Sequence, residues 1–84
     1  MVTSADISAD GKKLAVLTYY KLWLFERTDI TEENFFKSKS YAIDLNSEVT
    51  KQCEAITFAD DKNLLLTNEQ RDIYRIPLAE FKKK

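Results

Sequence analysis

The chain has 84 residues, with 13 Lys+Arg against 14 Asp+Glu, a single Gly, a single Cys and no His. One domain is the upper bound at this length, and its core lies near the lower limit of independent stability. Without His, no Ser-His-Asp or Cys-His system can be assembled within the chain, one Gly excludes a phosphate-cradling loop, and one Cys excludes an internal disulfide framework or a Cys-rich zinc site.

Seven strands are predicted, at 4–8, 13–19, 22–26, 41–45, 54–58, 64–68 and 73–77. The first two flank Asp10-Gly11, where Gly accepts positive φ and Asp bonds its own following backbone. In 13–19, Leu14 and Val16 point one way and Ala15, Leu17 and Tyr19 the other. Tyr20-Lys21 breaks the run before 22–26, where Leu22 and Leu24 oppose Trp23 and Phe25. Strands apolar on both sides belong to a sheet covered on both faces. Residues 27–40 interrupt the strands. Asp29 and Glu32 have capping-box spacing there, so a short helical turn is expected near 31–37. In 41–45, Tyr41, Ile43 and Leu45 share one face and Ala42 and Asp44 the other, the pattern of a peripheral strand.

The last three strands follow the same plan. Asp60-Asp61 supplies turn chemistry, Leu64 and Leu66 oppose Leu65, and Gln70-Arg71-Asp72 separates 64–68 from 73–77. Pro77 ends the final strand, because it removes a ladder donor. Leu78-Ala79-Glu80-Phe81 reads as a helical turn in a short tail. The three terminal lysines read as a solvated end.

An internal match runs at a spacing of 50 residues. Ala5/Ala55, Ala9/Ala59, Asp10/Asp60, Lys12/Lys62 and Leu14/Leu64 are identical pairs. With a one-residue slip, Leu22-Trp23-Leu24-Phe25 aligns with Ile73-Tyr74-Arg75-Ile76. The expected class is therefore all-β, with antiparallel sheets of four and then three strands.

The stretch Ile7-Ser8-Ala9-Asp10-Gly11-Lys12-Lys13-Leu14-Ala15 resembles the first-strand, turn, second-strand signature of bacterial β-propeller blades of the TolB type. Cys53 to Glu69 is similar to blades of phytase-like and esterase-like propellers. The resemblance implies one blade over about 3–46, a second over about 52–78 that lacks its outermost strand, and a tail at 79–84. It also implies two blades of a longer, exported ring, since propellers have typically 4–8 blades. Two isolated blades leave apolar faces and free edges, so self-association is expected.

The resemblance further implies that Glu54 and Glu69 are calcium ligands, because acids at comparable places hold calcium in phytase-like propellers. Otherwise they are two exposed loop-end carboxylates. Asp6 and Asp10 would extend an acidic rim, with Asp10 also explained as the turn residue. Tyr19 and Tyr20 are aromatic enough to bind sugars or peptides. As adjacent strand residues they are expected on opposite faces. Trp23 and Tyr74 fit core packing, and Cys53 has no neighbouring base that would activate it.

Acids and bases are spread evenly, six and six over residues 1–42 and eight and seven over 43–84. That distribution argues against a nucleic-acid partner, which asks for a basic face. No apolar run approaches the roughly 18 residues of a membrane helix, and no leader pattern is expected. Together with that resemblance, which implies a place in a larger propeller, the expected function is a non-catalytic scaffold or partner-binding module. The alternatives are a piece of a calcium-dependent propeller hydrolase and a free-standing small β interaction domain.

Overall fold

The computed structural model describes residues 2–28, 39–45 and 53–82. Over these residues the chain is all-β: seven strands form two antiparallel sheets, and a 3-10 helix follows the last of them. The first sheet has the order β1 (Val2–Ile7), β2 (Lys13–Thr18), β3 (Lys21–Glu26), β4 (Lys39–Asp44). The second has the order β5 (Cys53–Phe58), β6 (Asn63–Asn68), β7 (Ile73–Pro77). The expected helical turn near 31–37 lies outside the described residues. Among the described residues, no helix is long and apolar enough to cross a membrane.

Strand alternation sets the two faces of each sheet. Ala15, Leu17, Leu22 and Leu24 point from the first sheet toward the second and are fully buried. Ile56, Leu64 and Leu66 meet them from the second sheet, and Tyr41, Ile43, Leu45, Phe58, Tyr74 and Ile76 complete the same cluster. This layer between the sheets is the main core. On its opposite face the first sheet carries a smaller apolar group of Leu14, Val16, Trp23 and Phe25, with the Trp23 and Phe25 rings stacked at 6.2 Å.

The tail closes one end of the core. Leu78 and Phe81 of the 3-10 helix Leu78–Lys82 are buried in it. Lys82 Nζ lies 3.1 Å from Glu26 and 5.3 Å from the Tyr41 ring centre, which ties the helix to β3 and β4. The Leu78 N–H donates to the Lys62 carbonyl at 2.8 Å, so the helix is also held by the second sheet. An exposed ion pair contributes about 1 kcal/mol or less, so the two buried side chains dominate this attachment.

The expected strands are all present, and no end shifts by more than two residues. One expectation is corrected. Strand β2 stops at Thr18, so Tyr19 and Tyr20 form the two-residue connection to β3 rather than straddling a strand end. The Thr18 hydroxyl closes this connection, accepting from the Lys21 N–H and donating to its carbonyl, both at 3.0 Å. Strand alternation no longer applies to the two tyrosines, and their rings meet edge-on at 6.5 Å.

Candidate functional site

The edges of β1 and β5 face each other, and short polar side chains join them. In each strand the residues that bond the neighbouring β2 or β6 alternate with residues whose N–H points outward. The outward N–H of Ile56 donates to Ser4 Oγ at 3.2 Å, and that of Phe58 to Asp6 Oδ2 at 2.8 Å. The Thr57 hydroxyl donates to the same Asp6 oxygen at 3.1 Å. Side chains of one sheet thus supply the acceptors that the free edge of the other lacks.

Beyond this seam lies a cleft of about 500 Å³, bounded by the β1–β2 and β5–β6 turns. Its acids are Asp6, Asp10, Asp60 and Asp61, with Lys13 the one base beside them. Three of the four acids are engaged by the fold. Asp10 Oδ1 accepts from the Ser8 hydroxyl at 2.6 Å and the Lys12 N–H at 2.9 Å. The hydroxyl and then the backbone N–H hold the Asp10 carboxyl below its usual range. Asp60 Oδ1 accepts from the Lys62 N–H at 2.8 Å, and the Asn63 amide reaches both carboxylate oxygens. The Lys62 N–H and then the Asn63 amide lower its pKa as well. Asp6 carries the seam described above. Asp6 and Asp10 therefore line this cleft at the β5–β6-turn end instead of extending a rim from Glu54 and Glu69, which lie at the other end of the second sheet, and both accept hydrogen bonds from turn or edge groups.

Glu54 lies on β5 beside the register shift between Cys53 and Ala55, and Glu69 begins the β6–β7 turn. Cys53 pairs with Asn68, so the two glutamates sit at the same end of the second sheet, both exposed. Among the described residues, no three or more His, Cys, Asp or Glu form a group that could hold a metal ion. Calcium takes roughly 6–8 oxygen ligands, more than two carboxylates provide.

Tyr19 and Tyr20 are 52% and 73% exposed, which presents two aromatic side chains to solvent on one turn. Tyr74 packs on the main core, as its strand spacing suggests. Trp23 is half-buried on the opposite face of the first sheet, with the Lys21 ammonium 5.5 Å from its ring. Val2, Val16, Thr18, Trp23 and Phe25 line a shallow, nearly apolar groove of about 250 Å³ on that face. Val2 at 61% and Ile7 at 53% exposure extend the apolar surface along β1.

Sequence reasoning missed the Ser4–Asp6 seam. Its signal was present as a polar pair at alternate positions in a strand with few other anchors. Compared with known proteins, the chain matches no family model, no curated protein and no solved structure.

Proposed function

We propose that the two sheets are successive repeats of β-propeller type, and that the chain is a non-catalytic scaffold or partner-binding module that works as part of a larger ring. The observation that carries this reading is which faces meet. Leu14 and Val16 align with Leu64 and Leu66, yet the first pair points away from the second sheet while the other pair points toward the first. Trp23 and Phe25 align with Tyr74 and Ile76 and divide in the same way. Two sheets related by a twofold axis would bury matching faces. Here the front of one sheet lies on the back of the next, the arrangement that successive blades use around a propeller axis.

Such stacking has two open ends, and each exposes a face suited to another sheet. The role that follows is association through sheet faces. The test is equilibrium sedimentation of the chain over a wide concentration range. Weight-average mass rising with concentration supports the reading, and a strictly monomeric compact species at all concentrations overturns it.

A further inference from the structure

The two open faces are the two halves of a contact the chain already makes once. Inside the molecule, Ala15, Leu17, Leu22 and Leu24 of the first sheet cover Leu64, Leu66, Tyr74 and Ile76 of the second. The residues that align with the covering set are Leu65, Thr67, Ile73 and Arg75. They lie on the outward face of the second sheet, where Ile73 is 67% exposed. The residues that align with the covered set are Leu14, Val16, Trp23 and Phe25, on the outward face of the first sheet.

The edge of β1 repeats the logic of β5. Ser8 bonds Lys13 across the β1–β2 pair, which leaves the Ala5 and Ile7 N–H groups directed away from β2, as those of Ile56 and Phe58 are directed away from β6. Thr57 shares the outward register of Leu65 on β5, and its hydroxyl oxygen, while donating to Asp6 within the chain, retains acceptor capacity for such an edge.

We infer that the outward face of the first sheet, at Val2, Ile7, Val16 and Trp23, is an interface for a second copy of this chain, docked head to tail through the outward face of its second sheet. This inference rests on the repeat reading proposed above and adds to it the faces used and the symmetry. The contact is heterologous, so it propagates into a ring or an open chain rather than stopping at a twofold dimer. Thr67 and Arg75 stand where Leu17 and Leu24 stand in the internal contact, so the intermolecular one has less apolar area to bury and is weaker. Arg75 can offset part of that loss by lying on the face of Trp23.

The experiment uses two variants with one blocked face each. Ile7→Lys blocks the receiving face, and Ile73→Glu blocks the docking face. Both positions are exposed, so the fold should persist, which circular dichroism checks. Val2→Lys replaces Ile7→Lys if that variant does not fold. Each variant alone is expected to sediment as a monomer. An equimolar mixture is expected to form a one-to-one dimer that does not grow, because each variant retains one working face. Association of Ile73→Glu as strong as that of the unmodified chain, with loss only in Ile7→Lys, would mean a twofold contact and overturn the inference while leaving the proposed function standing. A mixture that stays monomeric also overturns it. A monomeric unmodified chain overturns both.

Discussion

Asp6 Oδ2 accepts a hydrogen bond from the backbone N–H of Phe58 at 2.8 Å, across 52 positions of sequence. The bond replaces a strand neighbour that β5 does not have. Hydrogen bonds to charged groups contribute about 1.5–3 kcal/mol, more than neutral pairs. Asp6→Ala is therefore expected to destabilise the fold by about 1–3 kcal/mol and leave the Phe58 N–H unpartnered. At this chain length, each kcal/mol lowers Tm by about 4–8 °C. Asp6→Asn keeps an acceptor oxygen and should fall between the two. Thermal unfolding of the three proteins is the check, and equal Tm values would remove the seam as a source of stability.

The strands were legible in the sequence because their apolar residues alternate, and alternation survives any packing arrangement. Leu64 and Leu66 had to share a face whatever covered it. The covering itself was not legible, since period-two patterning does not say which sheet lies on which face. The β5–β6 turn shows another limit. Ile7 and Leu14 pair across six intervening residues, whereas Phe58 and Leu64 pair across five. The longer turn places Gly11 at φ 74°, and the shorter one has no residue at positive φ, so Asp61 fits at the position that the 50-residue spacing aligns with Gly11. The site was the least legible part. Ser4 and Asp6 look like ordinary polar strand residues until β5 is placed beside them.

Core position separates neighbouring leucines. Leu24 is fully buried between the sheets, while Leu65 is half-buried on the outward face of the second. Leu24→Ala should cost about 2–5 kcal/mol from lost burial and the cavity left behind. Leu65→Ala should cost about 1 kcal/mol or less, with no sealed cavity to create. Denaturant midpoints of the two variants measure the difference. Comparable losses would contradict the placement of the core between the sheets.

Acid should weaken the two Asp turns. The folded-state pKa values of Asp10 and Asp60 lie below the unfolded value of about 3.9. Their contribution is complete well above that value, and it is lost as pH falls through the folded-state pKa values. The Asp10→Asn, Asp60→Asn double variant keeps acceptor oxygens in both turns and no longer titrates there. Between pH 5 and the acid side of about pH 4, Tm of the unmodified protein should fall more steeply than that of the double variant. Parallel pH profiles would show that these turns do not contribute through ionisation.

Calcium offers a direct check on Glu54 and Glu69. The two share one end of the second sheet, but no third acid joins them in a metal-holding group among the described residues. Two carboxylates supply at most about four of the roughly 6–8 oxygens that calcium takes. An unchanged Tm up to millimolar calcium would leave them as two exposed loop-end carboxylates. A rise that disappears in the Glu54→Gln, Glu69→Gln variant would assign them as ligands.

The β6–β7 turn holds a local strain that one substitution should relieve. Arg71 adopts φ 67°, a region that costs a residue with a Cβ about 1–2 kcal/mol. Asn68 pays for that conformation: its buried side chain accepts from the Gln70 and Asp72 N–H groups, both at 3.0 Å, and donates to Asp72 Oδ2 at 3.1 Å. The turn is thus fixed by Asn68, and Arg71 follows. Arg71→Gly removes the steric cost but gives the unfolded chain more freedom, so a net gain of up to about 1 kcal/mol is expected. Asn68→Ala should lose more than that gain, because it empties a buried site and leaves two backbone donors without their acceptor. Combining the two tests the order of causes. If Asn68 imposes the strain, Arg71→Gly should stabilise less in the Asn68→Ala background, where the turn can relax. Equal gains in both backgrounds would show that the left-handed residue is set by the strand register alone.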